Sequence, residues 1–73
     1  MTEYGVVLFH TTSSVMQAEK VLKKAGFSTK LIPTPRQFSS DCGISLRFVW
    51  TDYANVKSTL DAAKVEIQAI HQL

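Results

Sequence analysis

Residues 44–50 read Ile-Ser-Leu-Arg-Phe-Val-Trp, and this alternation restricts the possible folds more than any other stretch of the chain. In an extended strand it puts Ile44, Leu46, Phe48 and Trp50 on one face and Ser45, Arg47 and Val49 on the other. The apolar face needs cover. A chain of 73 residues buries only about 60% of its unfolded surface, so its core is marginal unless a partner helps.

The neighbouring segments supply helices and further strands. Residues 4–10 (YGVVLFH) are β-branched and aromatic, and their continuously apolar centre predicts an inner strand. A helix is predicted over 13–25. Ser14 and Gln17 fit a capping box, Ala18, Val21, Leu22 and Ala25 repeat at helical spacing, and Gly26 ends it behind Lys20, Lys23 and Lys24. Residues 27–32 alternate as a half-buried strand. Asp52 is placed to cap a second helix with Val56, Thr59, Leu60 and Ala63 on its inner stripe. Residues 65–73 alternate as a final strand. Residues 21–32 lie over 59–70 without a gap, pairing Leu22 with Leu60, Ala25 with Ala63, Phe27 with Val65 and Ile32 with Ile70. Two such helix–strand halves predict one α+β domain over residues 1–73. Its expected form is a two-layer β-α-β-β-α-β, ferredoxin-like (split βαβ) fold with a mostly antiparallel four-stranded sheet.

Composition narrows function mainly by exclusion. The chain is 45% hydrophobic and 19% charged, a globular balance, and its net charge of +2 is too weak to argue for nucleic acid or an anionic membrane. Val6-Val7-Leu8-Phe9 is too short for a signal-peptide core or a membrane span. One cysteine cannot make an internal disulfide, which fits a reducing compartment, so the cytoplasm is expected. One cysteine and two distant histidines do not make a tetrahedral metal site, and no cofactor is expected. Cys42 and His10 lack an identifiable third orienting group or an enclosed pocket for a hydrolytic dyad, so a hydrolase is not expected; the role left for the thiol is to hold a group and not to turn one over, so no enzyme is expected.

The remaining chemistry lies in PTPRQFSSDCG, residues 33–43, which ends on that cysteine. In the expected topology this loop crosses the end of the domain where the first helix begins. Cys42 is therefore expected beside His10, Thr11, Thr12, Ser13 and Ser14. A helix N-terminus offers unpaired N–H groups and about half a positive charge, which favours thiolate, persulfide or selenide. His10 is a candidate acid or base, and Arg36 a source of fixed positive charge. Gly43 gives the backbone room and permits positive φ. Asp41 opposes a second anion nearby.

Most of the chain, with PTPR at 33–36 and SSDCGISLRF at 39–48 as its most specific parts, resembles the selenium/sulfur carrier protein-like family of small domains. The family pattern has the same P-T-P-R, a serine-rich turn, Cys-Gly and a strand with Arg. The chain departs from it at Asp41, where a small residue is usual. The resemblance implies that Cys42 is the carrier thiol and Gly43 its following glycine. It also implies that sulfur or selenium is held as a persulfide or selenopersulfide between a donor protein and an acceptor protein. The alternatives are a small protein-docking or regulatory domain whose cysteine is incidental and, more remotely, an RRM-like RNA binder using Phe48 and Trp50. The sheet face away from the helices, with Arg47 and Val49 and with Val7 or Phe9 according to the pleat, is expected to stay open and to pair with a second copy as a homodimer. His71 is expected to be exposed and without a role.

Overall fold

The computed structural model describes residues 2–73. Strand β1 spans Tyr4–Leu8, helix α1 Thr12–Lys24, β2 Thr29–Pro33 and β3 Ile44–Val49; a single 3-10 turn over Trp50–Asp52 leads into helix α2, Tyr53–Ala62, and β4 spans Ala69–Gln72. The strands form one antiparallel sheet in the order β2-β3-β1-β4. The result is a small α+β domain of four strands and two helices.

Register assigns the two faces. Val7 lies opposite both Leu46 and Ile70, and Leu31 opposite Leu46; this row packs with the helices. The helices contribute Val15, Ala18 and Leu22 from α1 and Val56 and Leu60 from α2, all fully buried. Pairs directly opposite in an antiparallel sheet share a face. The next row, Lys30, Arg47, Val6 and His71, therefore points the other way. Gly5 is required by close approach, because a Cβ there would lie 2.5 Å from the Trp50 ring and 2.6 Å from that of Phe48.

The helix ends differ from expectation at both starts and agree at one stop. The N-cap of α1 is Thr11, whose hydroxyl accepts the Ser14 N–H at 3.2 Å; Ser14 is the third helical residue, not the cap. Asp52 precedes α2 but makes no side-chain capping bond, because the 3-10 turn holds it at φ −90°, ψ 6° and not in the extended conformation of a cap. Gly26 ends α1 at φ 91°, with the Phe27 N–H bonded to the Leu22 carbonyl at 3.0 Å and its own N–H to that of Lys23. The second half repeats this ending with Lys64 at φ 58° and Val65 bonded to Leu60.

The last strand is shorter than the alternation over 65–73 suggests. Val65 is buried, Glu66 exposed and Ile67 half-buried, but Val65 closes α2 and pairing with β1 starts where the Gln68 N–H meets the Leu8 carbonyl at 2.7 Å. Alternating burial there comes from a connector lying on the core.

The outer sheet face is not open. Val6 and Leu8 are 0% and 1% exposed, while Val7 and Phe9 belong to the helix-side core. The Arg47 guanidinium lies 4.1 Å from the centre of the Tyr4 ring beside Val6, and residues 34–43 cross the sheet so that the Phe38 ring stacks on His71 at 4.3 Å. His71 is exposed as expected but carries a stacking contact, and one expectation is corrected: the apolar face that argued for a homodimer is not bare, since Val6 and Leu8 are buried and the chain's own loop crosses it. Phe48 is 1% exposed and Trp50 packs against the same core and Tyr53, so this pair is not the outward stacking platform an RRM-like reading needs.

Candidate functional site

Cys42 sits where the topology expects it, at the start of α1. Its Sγ lies 3.7 Å from Thr12 Oγ1, in the first turn of the helix. That turn contains no acidic residue. The capping bonds use the N–H of Ser14, and the first intrahelical bond uses that of Val15. The N–H groups of Thr12 and Ser13 are the ones a helix start leaves without an intrahelical acceptor.

The thiol is enclosed, as the alternative of an incidental, packed cysteine has it. Cys42 is 5% exposed and belongs to the helix-side core cluster. Its backbone is held on both sides. The Cys42 N–H donates to Ser40 Oγ at 3.2 Å, and the Ser40 hydroxyl donates to the Phe9 carbonyl at 2.9 Å, tying the thiol's residue to the end of β1. The Thr34 hydroxyl donates to the Cys42 carbonyl at 2.9 Å. With its only proton so engaged, Thr34 Oγ1 accepts from the buried Ser45 hydroxyl at 2.7 Å.

The remaining predicted residues separate into near and remote. His10 Nδ1 meets Asp41 Oδ2 at 2.7 Å, with the side chains 41% and 69% exposed. The His10 ring is thus held by the Asp41 carboxylate, and no described bond joins it to Sγ. Ser14 works in the helix cap, bonded to Thr11. Ser13 is exposed, as is Arg36, which forms no ion pair among the described residues; neither is brought to Sγ by any described bond. Gly43 has no positive φ, and a Cβ there would meet nothing within 4 Å, so the left-handed conformation expected of it is not used.

Residues that sequence reasoning passed over do much of the holding. Thr34 and Ser40 fix the cysteine's backbone. Gln68, just ahead of β4, accepts from the Asp41 N–H at 3.3 Å and donates to the Ser39 carbonyl at 3.4 Å. Phe38 anchors the middle of the loop. Its signal was available as the only aromatic within a polar, proline-bearing connector. Beside Gly43, the side chains and backbone of Leu31, Ile32, Pro33 and Ile44 enclose a shallow apolar hollow of about 280 Å³.

Among the described residues, no helix is long and apolar enough to cross a membrane, and no three His, Cys, Asp or Glu side chains gather where they could hold a metal ion. The arrangement offers one small, enclosed nucleophile at a helix start, beneath a loop fastened by side chains. Residues 4–72 match the model of the family described as "Putative Se/S carrier protein-like", nearly the whole chain, and the protein belongs to that family. No curated protein and no solved structure matches it.

Proposed function

From that membership and the position of the cysteine, we propose that the domain carries sulfur or selenium on Cys42 between a donor protein and an acceptor protein. The observation that carries the reading is the placement of the chain's only thiol against Thr12, in the first turn of α1. The sulfur of a persulfide or the selenium of a selenopersulfide is readily anionic, and the free N–H groups and dipole of a helix start favour an anion there. The absence of acidic residues in that turn supports this, and the pairing of Asp41 with His10 offsets the nearest carboxylate. The element order and the strand order β2-β3-β1-β4 support reading the scaffold as the split βαβ, ferredoxin-like arrangement.

Loading is an exchange at sulfur. The Cys42 thiolate attacks the terminal sulfane sulfur of a donor persulfide; the new S–S bond forms as the donor's S–S bond breaks, and the donor's thiolate leaves with the electron pair. The terminal S–H passes to Cys42 with its proton, so charge and atoms balance. Delivery is the same step in the other direction: an acceptor nucleophile takes the terminal SH, and Cys42 returns to thiolate. The domain itself turns over no substrate, so it is not an enzyme in this reading. The free N–H groups of Thr12 and Ser13 steady the anion, with Ser14 holding the cap, and Gly43 leaves one side of the sulfur's backbone uncrowded; Arg36, exposed on the loop, is free to contact a partner.

Cyanolysis after incubation with a persulfide-bearing cysteine desulfurase tests this. Sulfane sulfur is expected on the wild-type protein and not on Cys42→Ser. Equal amounts on both, or none on either, would overturn the reading.

A further inference from the structure

The thiol that the carrier reading uses is buried, and the structure shows what would have to move to uncover it. Residues 35–42 form a strap whose last residue is Cys42. Among the described residues, the only backbone–backbone hydrogen bond made by the strap is internal, from the Phe38 N–H to the Pro35 carbonyl. The β2–β3 ladder stops at the strap's base, with Pro33 opposite Ile44 and a last bond from the Thr34 N–H to the Gly43 carbonyl at 3.0 Å. Beyond that base every hydrogen bond from strap to body among the described residues passes through a side chain: Ser40 to the Phe9 carbonyl, Asp41 to His10, Cys42 with Thr12, and Gln68 to Asp41 and Ser39. The stacking of Phe38 on His71 is the one aromatic fastening. Several of these partners are exposed, and the Gln68 bonds are long.

The hinge carries a glycine that the closed state does not need. Gly43 has neither a positive φ nor a neighbour that a Cβ would strike. Its conformational freedom is therefore unused in the conformation described and available to another one. A segment held mainly by a few side-chain contacts, several of them exposed, between two better-paired strands is the kind that opens while the rest stays folded.

We propose that residues 35–42 are a gate: the strap swings about Thr34 and Gly43, and this local opening, not unfolding of the domain, presents the Cys42 thiol to a partner. The gate is the access step of the carrier reading and rests on that reading for its purpose. Its existence is a separate claim. Opening breaks the Ser40–Phe9, His10–Asp41, Phe38–His71 and Gln68 contacts together and lifts Sγ from Thr12 and from the edge of the core while both helices stay packed.

The test is the rate at which iodoacetamide, a small neutral reagent, alkylates Cys42 in the folded full chain over a range of urea below the unfolding transition. The expected rate is slower than that of an unstructured cysteine peptide and flat in low urea, rising only near the transition. Gln68→Ala, which removes two strap bonds without changing a charge, is expected to raise the flat rate about three-fold, and Phe38→Ala, which removes the aromatic stack, about five-fold. Gly43→Ala is expected to lower it about three-fold by restricting the open ensemble. If Phe38→Ala does not fold, Gln68→Ala, at a half-buried position, carries the upward arm. A wild-type rate equal to that of the peptide, a rate that tracks global unfolding at all urea concentrations, or a rate unmoved by the variants would overturn the gate. Sulfane loading on the same samples separates the two claims. Strap-dependent alkylation without loading sinks the carrier reading alone, and loading with strap-independent alkylation sinks the gate alone.

Discussion

Both faces of the sheet have a buried centre, and the two centres are differently covered. On the helix side Val7 and Leu46 are 0% exposed beneath α1 and α2, whose own hydrogen bonds are internal and whose apolar stripes interlock. On the other side Val6 and Leu8 are 0% and 1% exposed on the face crossed by a strap that makes, among the described residues, no backbone–backbone bond to the body between its hinge residues. Burial records where a side chain is on average. It does not record how much must break to uncover it, and that cost differs across this sheet. Cys42 stands at the seam, its side chain in the helix-side core and its backbone in the strap.

Four substitutions sharpen or break the contrast. Leu60→Ala, inside the helix-side core, is expected to cost roughly 2–5 kcal/mol in urea unfolding. A loss no greater than that of a strap variant would erase the distinction. Gly5→Ala forces a methyl against the Phe48 and Trp50 rings, and a cost of about 1–3 kcal/mol is expected from overpacking, with altered near-ultraviolet circular dichroism as its signature. Lys64→Gly should stabilise by about 1 kcal/mol, because Lys64 holds φ 58° at the end of α2 where Gly26 serves α1. Since it acts only on the helix side, its gain should raise the urea midpoint and leave Cys42 alkylation in low urea unchanged. His10→Ala is expected to change global stability by less than about 1 kcal/mol, as befits an exposed pair. A larger loss in equilibrium unfolding would mean that the strap is part of the cooperative core.

The sequence showed the elements more clearly than their covering. The alternation of residues 44–50 and the helical repeat through Ala18 and Leu22 each report one local period, so strands and helices could be read with errors of a few residues. Gly26 and Lys64 end the two helices at matched positions of the internal echo, although only one of them is a glycine. The strap was not legible because its contacts join residues about thirty positions apart, such as Asp41 with His10 and Phe38 with His71, and no local periodicity encodes them. Connectivity alone was enough to bring Cys42 to α1. It could not show that the thiol is enclosed, that His10 faces Asp41, or that Arg36 stays exposed and unpaired among the described residues. Those facts depend on which way a loop lies down, which Phe38 and Ser40 decide.

The most direct test of the account is a load-and-chase experiment read by intact mass. The wild-type protein is charged by a persulfide-bearing desulfurase, separated from it, and then exposed to a thiol acceptor. The account predicts a gain of one sulfur atom located at Cys42, its loss on the chase with return of the unmodified mass, and neither change in Cys42→Ser. A wild-type mass that never gains the atom, or an adduct that maps elsewhere in the chain, would contradict it.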